Sequence, residues 1–385
     1  MKYMGSKRAM LANGLGTTLR REAAGAKRFA DLFAGSGSVA WYVAENFPCR
    51  VFANDLQLFS SVLCDAVIGR VKPLDSDLVW TDWASKARAK VAEALIYKQA
   101  RCFDQRSWGR ARRRNVAEAR DICLGGEGLI TRSYGGHYFS PMQALAFDVL
   151  RATIPIENKV RSVALAALIS AASRCAAAPG HTAQPFQPTP GAAEFLFEGW
   201  RRDVWGQTKS ALDRICPKHA QSIGEARVGS AESLAGELEP GDVAFVDPPY
   251  SGVHYSRFYH VLETVARGKC EEVSGVGRYP PPNERPKSDF SMATKSEHAL
   301  EKLLNVLAER GVRTVLTFPQ EETSNGLSGS IVETAAKKHF KVLKTVANGR
   351  FSTLGGNLRN RKARIPAYEI ILSLTPRNQH QYKRK

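Results

Sequence analysis

Arg28-Phe-Ala-Asp-Leu-Phe-Ala-Gly-Ser-Gly37 decides the fold. A short apolar run ends in Gly35-Ser36-Gly37, and a helical pattern follows at once in Val39, Ala40, Trp41, Val43 and Ala44. This reads as strand, glycine turn, helix. Arg50-Val-Phe-Ala-Asn54 is a second short strand that ends at Asp55, so the two strands predict a βαβ unit and a parallel sheet. Glycines after a first strand let the backbone approach a nucleotide-like cofactor. An acidic residue at the end of the second strand, about twenty residues on, can accept hydrogen bonds from both ribose hydroxyls of an adenosine. Position 40 is Ala where a dinucleotide fingerprint would carry a third glycine, which weighs against a nicotinamide cofactor.

Working outward, strand signals return at Asp242-Val-Ala-Phe-Val246, Val312 to Phe318, Phe340 to Val346 and Tyr368 to Leu374. Ser296 to Arg310 is an amphipathic helix with Leu300, Leu303, Leu304 and Leu307 on one stripe and Gly311 just past its end. Between about Trp80 and Ala220 the chain looks mostly helical and rich in Arg. Ser140-Pro141 opens one helix with a capping serine and a proline at the first helical position. Val163 to Ala178 reads as a buried helix stopped by Pro179-Gly180. Gly180 to Gly191 and the proline-rich Tyr279 to Pro286 read as loops. The expectation is an α/β sheet domain over 1–78 and 222–385, interrupted by a mostly helical insertion over 79–221 that would serve target recognition.

Asp247-Pro-Pro-Tyr250 stands at the end of the strand Asp242–Val246. Two prolines stiffen the backbone beyond that strand end, at the carboxyl edge where α/β folds bind ligands. The combination suits an exocyclic amine on a flat base. The Asp247 carboxylate and the Pro248 carbonyl can accept its two N–H bonds, and Tyr250 can stack on the ring. An amine held this way loses conjugation with the ring, and its lone pair can attack a methyl sulfonium in line. The aromatic and basic run Tyr255-Ser-Arg-Phe-Tyr-His260 reads either as part of the base pocket or as a packed helix start.

The 385 residues carry 55 Lys+Arg against 37 Asp+Glu, a formal charge of +18, which favours a polyanionic partner, nucleic acid first. Two stretches concentrate that charge. Arg101, Arg106, Arg110, Arg112, Arg113 and Arg114 crowd around Trp108, and Arg359, Arg361, Lys362 and Arg364 follow Gly355-Gly356. Arg112, Arg113, Arg114, Arg359 and Arg361 are the expected phosphate contacts. With 43% hydrophobic and 24% charged residues the composition is that of a globular chain. Met1 to Met10 is polar and basic, unlike a secretory signal, and Val163 to Ala178 is too short and too polar for a membrane span. Seven dispersed cysteines, with no CxxC pair and no Cys/His cluster at metal-ligand spacing, suit a reducing cytoplasm and give no metal site.

Asp31-Leu-Phe-Ala-Gly-Ser-Gly37 and Asp247-Pro-Pro-Tyr250 resemble the cofactor and catalytic motifs of amino-methyltransferases. Lys2-Tyr-Met-Gly-Ser-Lys7 resembles the N-terminal cofactor motif of the Dam-like (α-group) N6-adenine DNA methyltransferases, and the motif order fits that group. The resemblance implies a Rossmann-like, S-adenosylmethionine-dependent methyltransferase sheet and a site-specific enzyme. Such an enzyme methylates N6 of an adenine flipped out of double-stranded DNA, the chemistry of restriction-modification. It implies cofactor contacts at Tyr3, Lys7, Phe33, Gly35, Gly37, Asp55 and Asp247, with Ser230 or Glu232 as a further contact before the catalytic strand. It also implies base-holding roles for Asp247, Pro248 and Tyr250. Tyr3 departs from the Trp of the Dam enzymes and Met4 from a small residue, so their target sequence does not carry over. An RNA-base or N4-cytosine methyltransferase stays open, because the tetrapeptide demands only an exocyclic amine on a planar ring. So does a catalytically silent DNA-binding protein on the same scaffold, although the intact Asp247, Gly35 and Gly37 speak against it. A protein-glutamine methyltransferase would normally carry Asn at position 247.

Overall fold

The computed structural model describes residues 6–106, 108, 112–351 and 365–377. The chain divides into two compact units. Among the described residues, one takes in 6–71, 219–255, 287–351 and 365–377 and holds the sheet; the other takes in 72–106, 108, 112–218 and 256–286 and is helical.

Seven strands are described in the sheet unit: β1 (Arg28–Asp31), β2 (Arg50–Asp55), β3 (Glu225–Val228), β4 (Val243–Val246), β5 (Arg313–Pro319), β6 (Phe340–Phe351) and β7 (Ile365–Pro376). Their order is β3-β2-β1-β4-β5-β7-β6. The first five run parallel, and β7 lies antiparallel between β5 and β6. This is the Rossmann-like sheet of S-adenosylmethionine-dependent methyltransferases that the motifs imply. Each of the four residues of β4, Val-Ala-Phe-Val, is buried, as a parallel strand covered on both faces requires. Ala30, Ala244, Val246, Leu316 and Leu372 pack on one face with the expected stripe Leu300, Leu303, Leu304 and Leu307 of the helix Ser296–Glu309. Gly311 ends that helix at φ +68°.

The register places the chemistry. Asp31 pairs with Ala53 of β2 and with Phe245 of β4, so Asp55 and Asp247 each stand two residues further along a neighbouring strand. All three aspartates therefore lie at the carboxyl edge. The strand order reverses between β1 and β4, which makes this the switch point where open α/β sheets bind ligands.

The helical unit is held by a different logic. The helix Asn158–Cys175 is buried on nearly every side from Val163 onward, so it is a central pillar rather than an amphipathic cover. It stops at Cys175, three residues before the expected Ala178. Ala176 turns extended, and Ala177 then donates to the Tyr138 carbonyl and accepts from the Phe186 amide. Ser140 and Gln143 form a full capping box at the head of Pro141–Ala152, with Pro141 at its first turn as read from sequence. In the same helix Asp148 caps a neighbour. Gly128, at the head of Leu129–Tyr134, has no side chain to offer, and Asp148 accepts from the Ile130 amide (2.7 Å), the Thr131 amide (2.8 Å) and the Thr131 hydroxyl (2.7 Å). A Cβ at residue 128 would collide with that carboxylate, which explains the glycine. Among the described residues no helix is long and apolar enough to cross a membrane.

Candidate active site

The turn after β1 needs its glycines. Gly35 sits at φ +49° and Gly37 at φ +73°, where an L side chain is strained. A Cβ on Gly37 would also press on Trp41 Nε1 at 3.1 Å and Cys64 Sγ at 3.2 Å. Asp55 fixes the turn from the next strand. Its Oδ2 accepts from the Gly35 amide at 2.9 Å and its Oδ1 from the Gln57 amide at 3.0 Å. Asn54 contributes a tie that sequence reading missed, donating to the Gly229 carbonyl at 2.9 Å. Phe33 stands half-buried beside the turn, edge-on to Phe290 at 5.0 Å between ring centroids.

Asp31 is the most unusual group in this edge. It is 1% exposed, and its Oδ1 has no hydrogen-bond partner among the described residues. Burial, then the charges of Asp247 and Asp55, push its carboxyl up to about 8. A buried, under-satisfied acid beside two other acids is what a cationic ligand would relieve. S-Adenosylmethionine brings a sulfonium and an ammonium, and the strained glycines leave room for its backbone contacts. The residues present therefore fit that cofactor.

Asp247 follows β4 and is held on one side only. Thr317 of β5 donates to Oδ1 at 2.8 Å, and Lys7 Nζ lies 2.9 Å from the same oxygen. Oδ2 carries no hydrogen bond among the described residues. Burial raises the Asp247 carboxyl to about 6, with Lys7 opposing that rise and Glu369 adding to it. Lys7 is itself 4% exposed and donates to Glu369 Oε2 of β7 at 2.8 Å. Burial disfavours its charge, but Asp247 and Glu369 outweigh burial and keep it protonated. The two prolines are braced from the β5 side. Asn325, fully buried, donates to the Pro249 carbonyl at 2.7 Å and the Phe290 carbonyl at 2.9 Å. The Pro248 carbonyl has no such donor among the described residues. The half-buried Tyr250 ring lies edge-on to Phe318 (6.5 Å) and Tyr255 (6.4 Å), with Lys7 Nζ 5.8 Å from its centroid.

The carboxyl edge thus gathers Lys7, Phe33, Gly35, Gly37, Asp55, Asp247, Pro248 and Tyr250 in one unit, together with Thr317, Asn325 and Glu369, which sequence reading missed. A lone acid in the apolar run Tyr368–Leu374 was the available signal for Glu369, and a threonine in Val315-Leu-Thr-Phe318 the signal for Thr317. Ser230 is committed to capping, its hydroxyl accepting from the Ser233 amide at 3.2 Å, while Glu232 lies half-buried in the first turn of that helix. Tyr3, Arg110, Arg359, Arg361, Lys362 and Arg364 lie outside the described residues.

In the helical unit, Phe258, Tyr259 and His260 are buried, so this part of the run after the tetrapeptide is a packed helix start. Trp108 is also core rather than an aromatic among surface arginines. It is 1% exposed and stacks on Phe103 at 5.4 Å. Arg106 is taken by Glu118 at 2.6 Å. Arg112, Arg113 and Arg114 are exposed in the first turn of the helix Arg112–Leu124. Three cations at the positive end of a helix dipole oppose helix formation, a cost that binding an anion would remove.

Comparison with known proteins gives a consistent picture. The profile described as D12 class N6 adenine-specific DNA methyltransferase matches residues 3–117 and 148–307. Modification methylase LlaI of Lactococcus lactis subsp. lactis is 25% identical over 316 residues, covering 79% of this chain and 44% of that protein. Type II methyltransferase M.FokI of Planomicrobium okeanokoites is 24% identical, with 71% and 38% covered, and Modification methylase StsI of Streptococcus sanguinis is 24% identical, with 72% and 38% covered. The chain therefore spans less than half the length of these curated relatives. With two discontinuous matches that together take in both motif regions and most of the chain, the protein belongs to the D12 class N6 adenine-specific DNA methyltransferase family.

Proposed function

We propose that the protein methylates N6 of adenine in double-stranded DNA, using S-adenosylmethionine and a flipped-out target base. The observation that carries this reading is the asymmetry of Asp247: Oδ1 is occupied by Thr317 and Lys7, while among the described residues no group donates to Oδ2 or to the Pro248 carbonyl. Two acceptors on a rigid edge are what a primary amine on a planar base needs. Tyr3, Lys7, Phe33, Gly35, Gly37 and Asp55 form the cofactor wall, with Asp55 on the ribose. The bound cofactor supplies an electrophilic methyl group on a cationic sulfur. Asp247 Oδ2 and the Pro248 carbonyl draw the amine hydrogens out of conjugation and fix the nitrogen lone pair for in-line attack. On taking up that methyl group, with the bonding pair staying on sulfur, the amine nitrogen would build positive charge. Asp247 stabilises that charge most in the transition state and takes the surplus proton. Tyr250 stacks on the base, compensating part of the few kcal/mol spent on unstacking and unpairing it.

The helical region within 79–221 would serve target recognition, with Arg112, Arg113 and Arg114, and in the second cluster Arg359 and Arg361, on phosphates. Two of the relatives are named as modification methylases, which agrees with this reading. Incubation with DNA and methyl-labelled S-adenosylmethionine, followed by digestion to nucleosides, is expected to yield labelled N6-methyladenine. Label in N4-methylcytosine would overturn the choice of base, and the absence of label in DNA would overturn the reading.

A further inference from the structure

The mechanism above uses Asp55 and Asp247 at the carboxyl edge and gives Glu369, a further buried carboxylate beside them, no role. Glu369 lies on β7, next to β5, and among the described residues its carboxylate meets the reacting edge through Lys7. Its side chain is 9% exposed, and Oε2 accepts a hydrogen bond from Lys7 Nζ at 2.8 Å, while the same ammonium stands 2.9 Å from Asp247 Oδ1. One cation is thus shared by two anions. A stable core does not ask for this. A 1:1 pair would bury less charge, and each buried ion costs several kcal/mol in desolvation.

We propose that Glu369 is a positioning residue for methyl transfer, holding the Lys7 ammonium as a bridge so that Asp247 keeps its negative charge available to the substrate amine. The proposal rests on the methyltransferase reading above. With Glu369 in place the three groups carry a net charge of −1, and Lys7 divides its proton donors between two acceptors. Without it, Lys7 and Asp247 would close into a neutral pair. Asp247 would then be a weaker partner for the positive charge that develops on the amine nitrogen, and a weaker acceptor for the proton that nitrogen sheds. The bridge also binds Oδ1 firmly, which leaves Oδ2 as the oxygen turned to the base.

The other charged groups around Asp247 are those of the neighbouring strands: Asp31 on β1, whose carboxyl feels the charge of Asp247, and Asp55 on β2 beyond it. Both are acids and are untouched by changes at residue 369. Glu369 pushes the Asp247 carboxyl up, so its removal lowers it. Activity is lost at low pH as Asp247 takes a proton, and the acid limb therefore moves to lower pH when Glu369 is neutralised.

The test is Glu369→Gln, which keeps the shape and one acceptor for Lys7 but removes the charge. Single-turnover methylation of DNA is measured across pH, alongside cofactor affinity and thermal melting. The expected result is a rate lower by roughly tenfold, an acid limb lower by about one pH unit, and cofactor affinity within about twofold of wild type. If Glu369→Gln does not fold, Glu369→Asp retains the charge but withdraws it by one methylene, and the same two changes are expected at smaller size. A folded variant with the wild-type rate and the wild-type acid limb overturns the proposal, as does one whose melting temperature falls while rate and limb stay fixed. A wild-type protein that forms no N6-methyladenine overturns the underlying reading instead, so the two failures are distinguishable.

Discussion

Asp31 in the sheet unit and Asp148 in the helical unit are both desolvated carboxylates whose protonation is favoured by burial, yet the chain treats them in opposite ways. Asp148 receives three hydrogen bonds and gives a short helix the cap its glycine cannot. Asp31 keeps one oxygen, Oδ1, without a hydrogen-bond partner among the described residues and faces two further acids. The first carboxylate is spent on the fold. The second is left at a cost to the fold that a positively charged ligand would relieve. The same contrast runs through both units: in the helical one Gln143 and Ser140 close a cap on each other, while at the sheet edge Asp247 is satisfied on one oxygen only.

The largest effect expected from this contrast is at Asp247. Asp247→Ala should lower the methylation rate by at least roughly 10²–10³-fold while DNA affinity, measured by filter binding, stays near wild type, because the interaction strengthens in the transition state. Next in size is Asp148→Ala. It strands three donors and should cost about 3 kcal/mol of stability, read by denaturant melts, with cofactor affinity unchanged. Loss of cofactor binding in a folded Asp148→Ala protein would break the comparison.

Asp31→Asn is the mirror case. In the folded protein the carboxyl holds its proton up to about pH 8, whereas in the unfolded chain it ionises near its ordinary value of 3.8. The native state therefore binds the extra proton between those limits, and stability falls as pH rises through that window. Asn removes the dependence, so the variant should melt higher than wild type at pH 9 and alike at pH 3.5, yet bind S-adenosylmethionine far more weakly. Calorimetry of the wild type at pH 7 in two buffers of different ionisation enthalpy should show proton release on cofactor binding. The smallest effect belongs to the helical unit. Replacing Arg112, Arg113 and Arg114 by Ala should leave melting unchanged or slightly raised and flatten the slope of log affinity for DNA against log salt by roughly 2–3. An unaltered slope would return these arginines to the solvent.

What the sequence discloses follows from how local each feature is. β1, β2, β4 and β5 lie within a few residues of their expected places because buried parallel strands are apolar runs between turns. β3 was missed: Glu225-Ala-Arg-Val228 is an edge strand of four residues, two of them charged and none buried, defined by its pairing with β2 rather than by an apolar run of its own. The segment 256–286 was read with the sheet, but its helix His260–Arg267 packs in the helical unit. An amphipathic helix states that it has a buried face without stating which core buries it. At the site, the glycine turn and the tetrapeptide are contiguous and were legible. The partnership of Lys7 with Glu369 spans 362 positions and emerges only when β7 is laid beside β5.

The chain enters the helical unit at residue 72, leaves it after 218, and returns for 256–286 before the sheet unit resumes. A genetic crossover that exchanged 72–218 alone would carry a foreign pillar helix Asn158–Cys175 against a resident His260–Arg267, two surfaces with no shared history of packing. Inheritance of this unit as a module thus requires two breakpoint pairs, with Asp247–Tyr250 on the spacer between them. Its diversification should proceed by point substitution on the surface more readily than by cassette shuffling.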